Sequence, residues 1–135
     1  MRAAREGRTA AAVEHTLTNL VTVYLINAQK GPLANTKVRQ ALNYAVDKNK
    51  IIKELYNGYA IPIGSGIPNT DFGFNPAHQA LPVRPAMAKK LLAEAGFANG
   101  LEIELQSGNG IHLNDRQLTD AVAADAGGGG RHAPR

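Results

Sequence analysis

The chain has 135 residues, enough for one modest domain. It contains no cysteine, which excludes a disulfide framework and a thiolate zinc site, and with 5% aromatics and no Trp any core must rest on Leu, Ile, Val and Ala. The net charge of +4 is carried at the ends, by Arg2, Arg5 and Arg8 and by Arg131 and Arg135, so the basic balance belongs to the tails and argues for no nucleic-acid partner.

Residues 1–15 are rich in Ala and Arg without an apolar face, and read as a disordered or weakly helical leader. They include a basic start but no apolar block long enough for a signal peptide. Residues 17–28 lack charge but are too short and too polar to span a bilayer. The chain as given is therefore expected to be cytosolic or a piece of something larger. Residues 20–26 are dense in β-branched and aromatic side chains, apolar on both alternating faces, and predict a strand covered on two sides. Gly31-Pro32 ends this stretch.

Asn35 is placed to cap a helix in which Val38, Ala41, Leu42, Ala45 and Val46 form one apolar stripe at helical spacing. Asp47 caps a second helix with Ile51, Ile52 and Leu55 on its apolar face, and Gly58 is the expected stop. Residues 59–84 carry Pro62, Pro68, Pro76 and Pro82 with intervening glycines and read as a long loop. Pro85 fits the first position of a third helix whose inward residues are Met87, Leu91, Leu92 and Ala95. Gly96 ends it, with Phe97 folding back in a Schellman arrangement. Residues 101–105 alternate strictly and predict a strand with Glu102 and Glu104 on a wet face. Asn114 or Asp115 starts a fourth helix through Leu118, Ala121 and Val122. The glycines from Gly127 to Gly130 then open a tail expected to be disordered. The predicted order is β, α, α, long loop, α, β, α, an α/β (α+β-like) fragment divided into a leader 1–15, a body 16–126 and a tail 127–135.

Three stretches, in this order, carry a resemblance. The first is Gly31-Pro32-Leu33 leading into Val38-Arg39-Gln40-Ala41-Leu42-Asn43-Tyr44-Ala45-Val46-Asp47-Lys48. The second is Gly58 with the Pro/Gly-rich loop through Ile67-Pro68. The third is Ala88-Lys89-Lys90-Leu91-Leu92-Ala93-Glu94-Ala95-Gly96-Phe97, followed by Gly100 and the stretch from Leu101 to Leu105. Together they cover most of the chain, which resembles the family 5 bacterial extracellular solute-binding proteins, the peptide-, oligopeptide- and nickel-type receptors of ABC importers.

The resemblance implies a strand crossing between lobes and part of the C-terminal lobe of a two-lobed periplasmic-binding-protein fold. It implies a non-catalytic role in which a peptide or similar small solute is captured and delivered to ABC permease membrane subunits, in the periplasm or outside the cell; no cofactor is expected. Two departures stand out. Where the family usually has Asp before the proline of the third helix, this chain has Arg84-Pro85, which exchanges a good N-cap for a cation and weakens the helix start by about 1 kcal/mol. Complete receptors are several times longer, and the fourth helix departs from the family after Asp125, so a truncated or frame-shifted product is expected.

Asn27 is the candidate ligand-binding residue, because its side-chain amide follows the crossing strand; satisfying local backbone is the simpler role for such an Asn. Arg39 reads as a solvated helix-face residue, and Tyr44 and Tyr56 as core-edge residues. His15, His78, His112 and His132 are scattered, without ligand spacing. No nucleophile–base pair supports an enzyme. The alternative function is a small helix-turn-helix DNA-binding protein, since a helix, a short break and a second helix carry Lys48, Lys50 and Lys53; Asp47 and Glu54 dilute that charge. Uncovered apolar faces imply self-association as a further outcome.

Overall fold

A computed structural model describes residues 2–4, 11–108, 110–127 and 130–132. Its elements are β1 (Arg2–Ala4), β2 (Ala11–Val13), α1 (Thr36–Ala45), α2 (Lys48–Tyr56), α3 (Pro85–Glu94), β3 (Leu105–Ser107), α4 (Asp115–Asp125) and β4 (Gly130–His132), with a 3-10 turn at Pro32–Ala34 before α1.

The four helices lie where capping chemistry and apolar spacing put them. Asn35 starts α1, its side chain accepting from the Lys37 N–H at 2.9 Å. Asp47 does the same for α2 through the Lys50 N–H at 3.0 Å. The stop of α2 comes one residue earlier than Gly58: Asn57 takes the left-handed conformation (φ 51°) and Gly58 continues it (φ 82°). Pro85 occupies the first turn of α3, and Arg84 supplies no side-chain cap, as the missing carboxylate at that position implies. The end of α3 is a Schellman arrangement, with Phe97 N–H on the Leu92 carbonyl at 2.8 Å, Gly96 N–H on the Ala93 carbonyl at 3.0 Å and Gly96 at φ 90°.

The helices pack as two antiparallel pairs. Lys37 at the start of α1 bridges Glu94 at the end of α3 (2.7 Å), and Arg84 N–H, entering α3, reaches the Tyr44 carbonyl near the end of α1 (2.8 Å). In the second pair, Asn114 before α4 donates to the Leu55 carbonyl of α2 (2.9 Å), and the Asp125 carboxylate at the end of α4 accepts from the Asp47 N–H (2.9 Å). The inward face of α3 is rotated from the sequence reading. Ala88 is buried, whereas Met87 is 36% exposed and Leu91 and Leu92 are half-buried. The reason is close approach: α1 presents buried Val38 and Ala41, and small residues let the two backbones draw together.

Four expectations about strands and tails differ from the structure. Residues 20–26 form no strand, because no other described segment offers them a ladder and their side chains stand mostly exposed. The strand expected at 101–105 is the shorter, later β3, although the alternation of half-buried and exposed positions runs from Leu101 through Ser107. The leader contains two strands instead of helical turns, β1 pairing antiparallel with β2 in the register Arg2↔Val13. In the tail, expected to be disordered, β4 lies parallel to β3 with Leu105↔Gly130 and Ser107↔His132 in register. The physical reason is connection: α4 is long enough to return the chain alongside β3, making a βαβ unit in which β3 offers a ladder to the tail. Residues 1, 5–10, 128–129 and 133–135, which share the leader and tail expectations, fall outside the described residues.

The interior is thin. Among the described residues its buried apolar side chains are Val38, Ala41, Ile51, Ala88 and Ala123, joined by fully buried Thr119. Among the described residues no helix is long and apolar enough to cross a membrane.

Candidate functional site: an open cleft at the end of the 20–30 segment

Asn27 lines a cleft of about 380 Å³. One wall is the run from Lys30 to Leu33 that leads into α1; the other is Glu102, Ile103 and Glu104, which lead into β3. The walls arise from local rules. Gly31 adopts φ 67°, turning the chain ahead of the Pro32–Ala34 turn. The alternation before β3 puts Glu102 and Glu104 on one exposed face. The cleft therefore pairs a lysine and two carboxylates with apolar Pro32, Leu33 and Ile103, and it is open to solvent.

Within it, Asn27 is bound locally. Its Oδ1 accepts from the Gln29 N–H at 3.1 Å, the short-range side-chain-to-backbone bond expected of a loop Asn. Glu104 is also engaged, accepting from Gln106 Nε2 at 2.8 Å. The sequence placed Glu102 and Glu104 together but did not join them to Lys30 and Leu33. That juxtaposition comes from segments about 70 residues apart and leaves no short-range signal.

The other residues considered have structural roles. Arg39 is half-buried on the helix face, and its guanidinium also donates to the Leu33 and Ala34 carbonyls at 2.8 and 2.9 Å and to Thr36 Oγ1 at 2.9 Å, clamping the turn that enters α1. Burial raises Tyr56 above the ordinary phenol range. Burial lowers Lys48 below the ordinary ammonium range, with Asp47 opposing, and its Nζ donates to the Asn43 carbonyl at 3.1 Å. Among the described residues no three His, Cys, Asp or Glu side chains gather in a way that would hold a metal.

Two polar features were missed from sequence. Tyr24 Oη and Thr119 Oγ1 lie 2.9 Å apart, tying the segment before the cleft to α4, and Thr119 Oγ1 also donates to the Asp115 carbonyl at 2.9 Å. Burial raises the Tyr24 hydroxyl above its ordinary range, and the bond to Thr119 opposes the rise. The Asp115 carboxylate, expected only as a helix cap, gathers the N–H groups of Gly110, Ile111, His112 and Arg116 at 2.7–3.2 Å. These bonds, the one from Gly110 foremost, push its pKa down to about 2.

Comparison with known proteins agrees with the resemblance seen in the sequence. The chain is 39% identical over 108 residues to heme-binding protein A of Haemophilus influenzae, covering 78% of this chain and 20% of that one. It is 40% identical over 102 residues to the dipeptide-binding protein of Escherichia coli, covering 73% and 19%. The solved structure of HbpA2 from Haemophilus parasuis superimposes with a TM-score of 0.70 at 32% identity, over 81% of this chain and 23% of that one. The chain thus spans about a fifth of the length of the curated relatives it matches. The model of the bacterial extracellular solute-binding proteins, family 5 (Middle) matches residues 3–127, which takes in most of the leader as well as the body. The chain belongs to the family 5 bacterial extracellular solute-binding proteins.

Proposed function

We propose that this chain is a portion of the substrate-binding component of an ABC importer, one that captures peptides or related small solutes without catalysis and presents them to a membrane permease outside the cytoplasm. The family match over residues 3–127 carries the proposal, and the matched relatives, named for binding a dipeptide and heme, support the solute class. Residues 16–126 are assigned to the C-terminal lobe of a two-lobed receptor, with the leader and tail flanking them. The open cleft is consistent with a site completed by protein beyond this chain: apolar walls, a cation and two carboxylates suit a zwitterionic solute, but an enclosed pocket is what gives small-ligand sites their affinity. Asn27 sits on its rim and would have to release the Gln29 N–H to contact solute.

No specific observation favours the DNA-binding alternative. The second helix of the pair packs against α4, and the Lys48 ammonium is turned back onto the Asn43 carbonyl.

The test is a graft of the aligned segment of this chain into the E. coli dipeptide-binding protein, titrated calorimetrically with a mixed di- and oligopeptide pool. Peptide binding by the folded graft is the expected result; a folded graft that binds no peptide contradicts the proposal. The chain alone is expected to bind none of the pool at submicromolar affinity, since most of the receptor lies outside it.

A further inference from the structure

We infer that the tail is an edge guard: β4 occupies one edge of β3 and keeps that strand from pairing with β3 of a second copy. The run from Leu101 through Ser107, which ends in β3, has what pairing between chains requires. It alternates apolar and polar residues and contains neither Pro nor Gly. An antiparallel, two-fold pairing centred on Gln106 would set Glu102 and Glu104 of the two copies at opposite ends, so their like charges do not oppose it.

Composition does not make β4 a strand, since Gly130, Arg131 and His132 are not β-formers. Backbone pairing holds it, in the parallel register Leu105↔Gly130, Gln106↔Arg131 and Ser107↔His132. The end of α4 directs the chain there: Gly127 takes φ 79°, and its N–H closes on the Ala124 carbonyl at 3.2 Å. The sequence that supplies β4 also ends a sheet. Arg131, Pro134 and Arg135 bring cations and a residue without an N–H, the devices that blunt a strand edge. The tail thus takes up the ladder of β3 without passing on an apolar one. The family match ends at residue 127, so β4 is built from this chain's own sequence. The inference does not require the solute-binding reading.

The test uses the full chain, which has no cysteine of its own. Arg131→Pro with His132→Pro removes two successive N–H groups, one of which must face β3. In that variant the β3 amides, followed by NMR, should exchange on the order of tenfold faster, while α1 and α3 amides keep their rates. Gln106→Cys then reports pairing between copies under oxidised glutathione. Disulfide-linked dimer should be on the order of tenfold more abundant with the two prolines than without them. Arg131→Ser with His132→Ser, which keeps the backbone donors, should leave β3 as protected as in the parent. Gln106→Cys with Arg131→Cys, at register partners, should close a disulfide within one chain. Unchanged β3 exchange in the proline variant overturns the inference, as does faster exchange without more dimer, or equal dimer in the Gln106→Cys parent. Loss of β3 protection in the serine variant overturns it too. If the prolines also release α1 and α3, the paired cysteines decide: closure within one chain upholds the guard, and linkage only between chains overturns it.

Discussion

Removing the hydroxyl of Thr119 should loosen α4 and the segment before the cleft together. Thr119 is fully buried, and its hydroxyl joins two partners, Tyr24 Oη and the Asp115 carbonyl, each at 2.9 Å. Thr119→Val keeps the shape and deletes both bonds. The Asp115 carbonyl keeps its place in the helix ladder, so its loss is small. Tyr24 is only partly buried, so water replaces part of what its hydroxyl loses. The bond itself is worth about 1 kcal/mol and the incompletely hydrated phenol adds a fraction more, giving about 1–2 kcal/mol in all. Tyr24→Phe leaves the Thr119 hydroxyl still bonded to Asp115, and should cost about 0.5–1 kcal/mol. The two changes remove one shared bond, so the double variant should show a coupling of about 1 kcal/mol. Native-state exchange of α4 amides, read by NMR, measures this without a global unfolding transition: Thr119→Val should speed them about 5- to 30-fold. Additive single effects, with coupling below about 0.3 kcal/mol, would refute the reasoning.

Three further outcomes are expected. Ala88→Leu should lower the apparent unfolding midpoint with a cost of about 1–3 kcal/mol, because Ala88 is buried against α1, whereas Met87→Ala should change it little; the opposite ranking by far-UV circular dichroism would restore the Met87-inward face. Gly64→Ala should open the loop to limited proteolysis, since a Cβ there lands on the backbone carbonyl of His78, while Gly66→Ala, in open space, should not. The Asp115 carboxyl is depressed to about 2, so its hold on the Gly110, Ile111 and His112 amides is complete above the ordinary carboxylate range and is lost as pH falls through about 2. The amide chemical shifts of those residues should titrate there, and Asp115→Asn should abolish the titration; a midpoint near 4 would remove the proposed cause.

What could be read from the sequence was what is encoded within a few residues. Asn35, Asp47 and Gly96 mark helix ends through bonds to neighbours two or three positions away, and Pro85 marks one through its fixed φ and missing N–H. The family was legible for the same reason, because its motifs are the capped helices themselves. Strands were not, because a strand exists only with a partner. Residues 20–26 have the composition without a partner, and Gly130–His132 has a partner without the composition. The α3 face was misjudged because hydrophobicity favours Met87, while the closeness of α1 and α3 selects the smaller Ala88. In the cleft, Asn27 met its local backbone bond as a loop Asn does, but its neighbours Lys30, Glu102 and Glu104 come together only through the fold.

The most direct measurement is equilibrium urea unfolding of the intact chain, followed by far-UV circular dichroism. A self-sufficient small domain would unfold sharply, with a slope of about 1–3 kcal/mol per molar urea. A chain that, among its described residues, buries only Val38, Ala41, Ile51, Ala88 and Ala123 of the apolar ones, and leaves Leu20 and Leu25 in water, should unfold gradually from low urea with a slope below that range. A steep transition with a high midpoint would contradict the account, because it would mean that these surfaces close on one another without further protein.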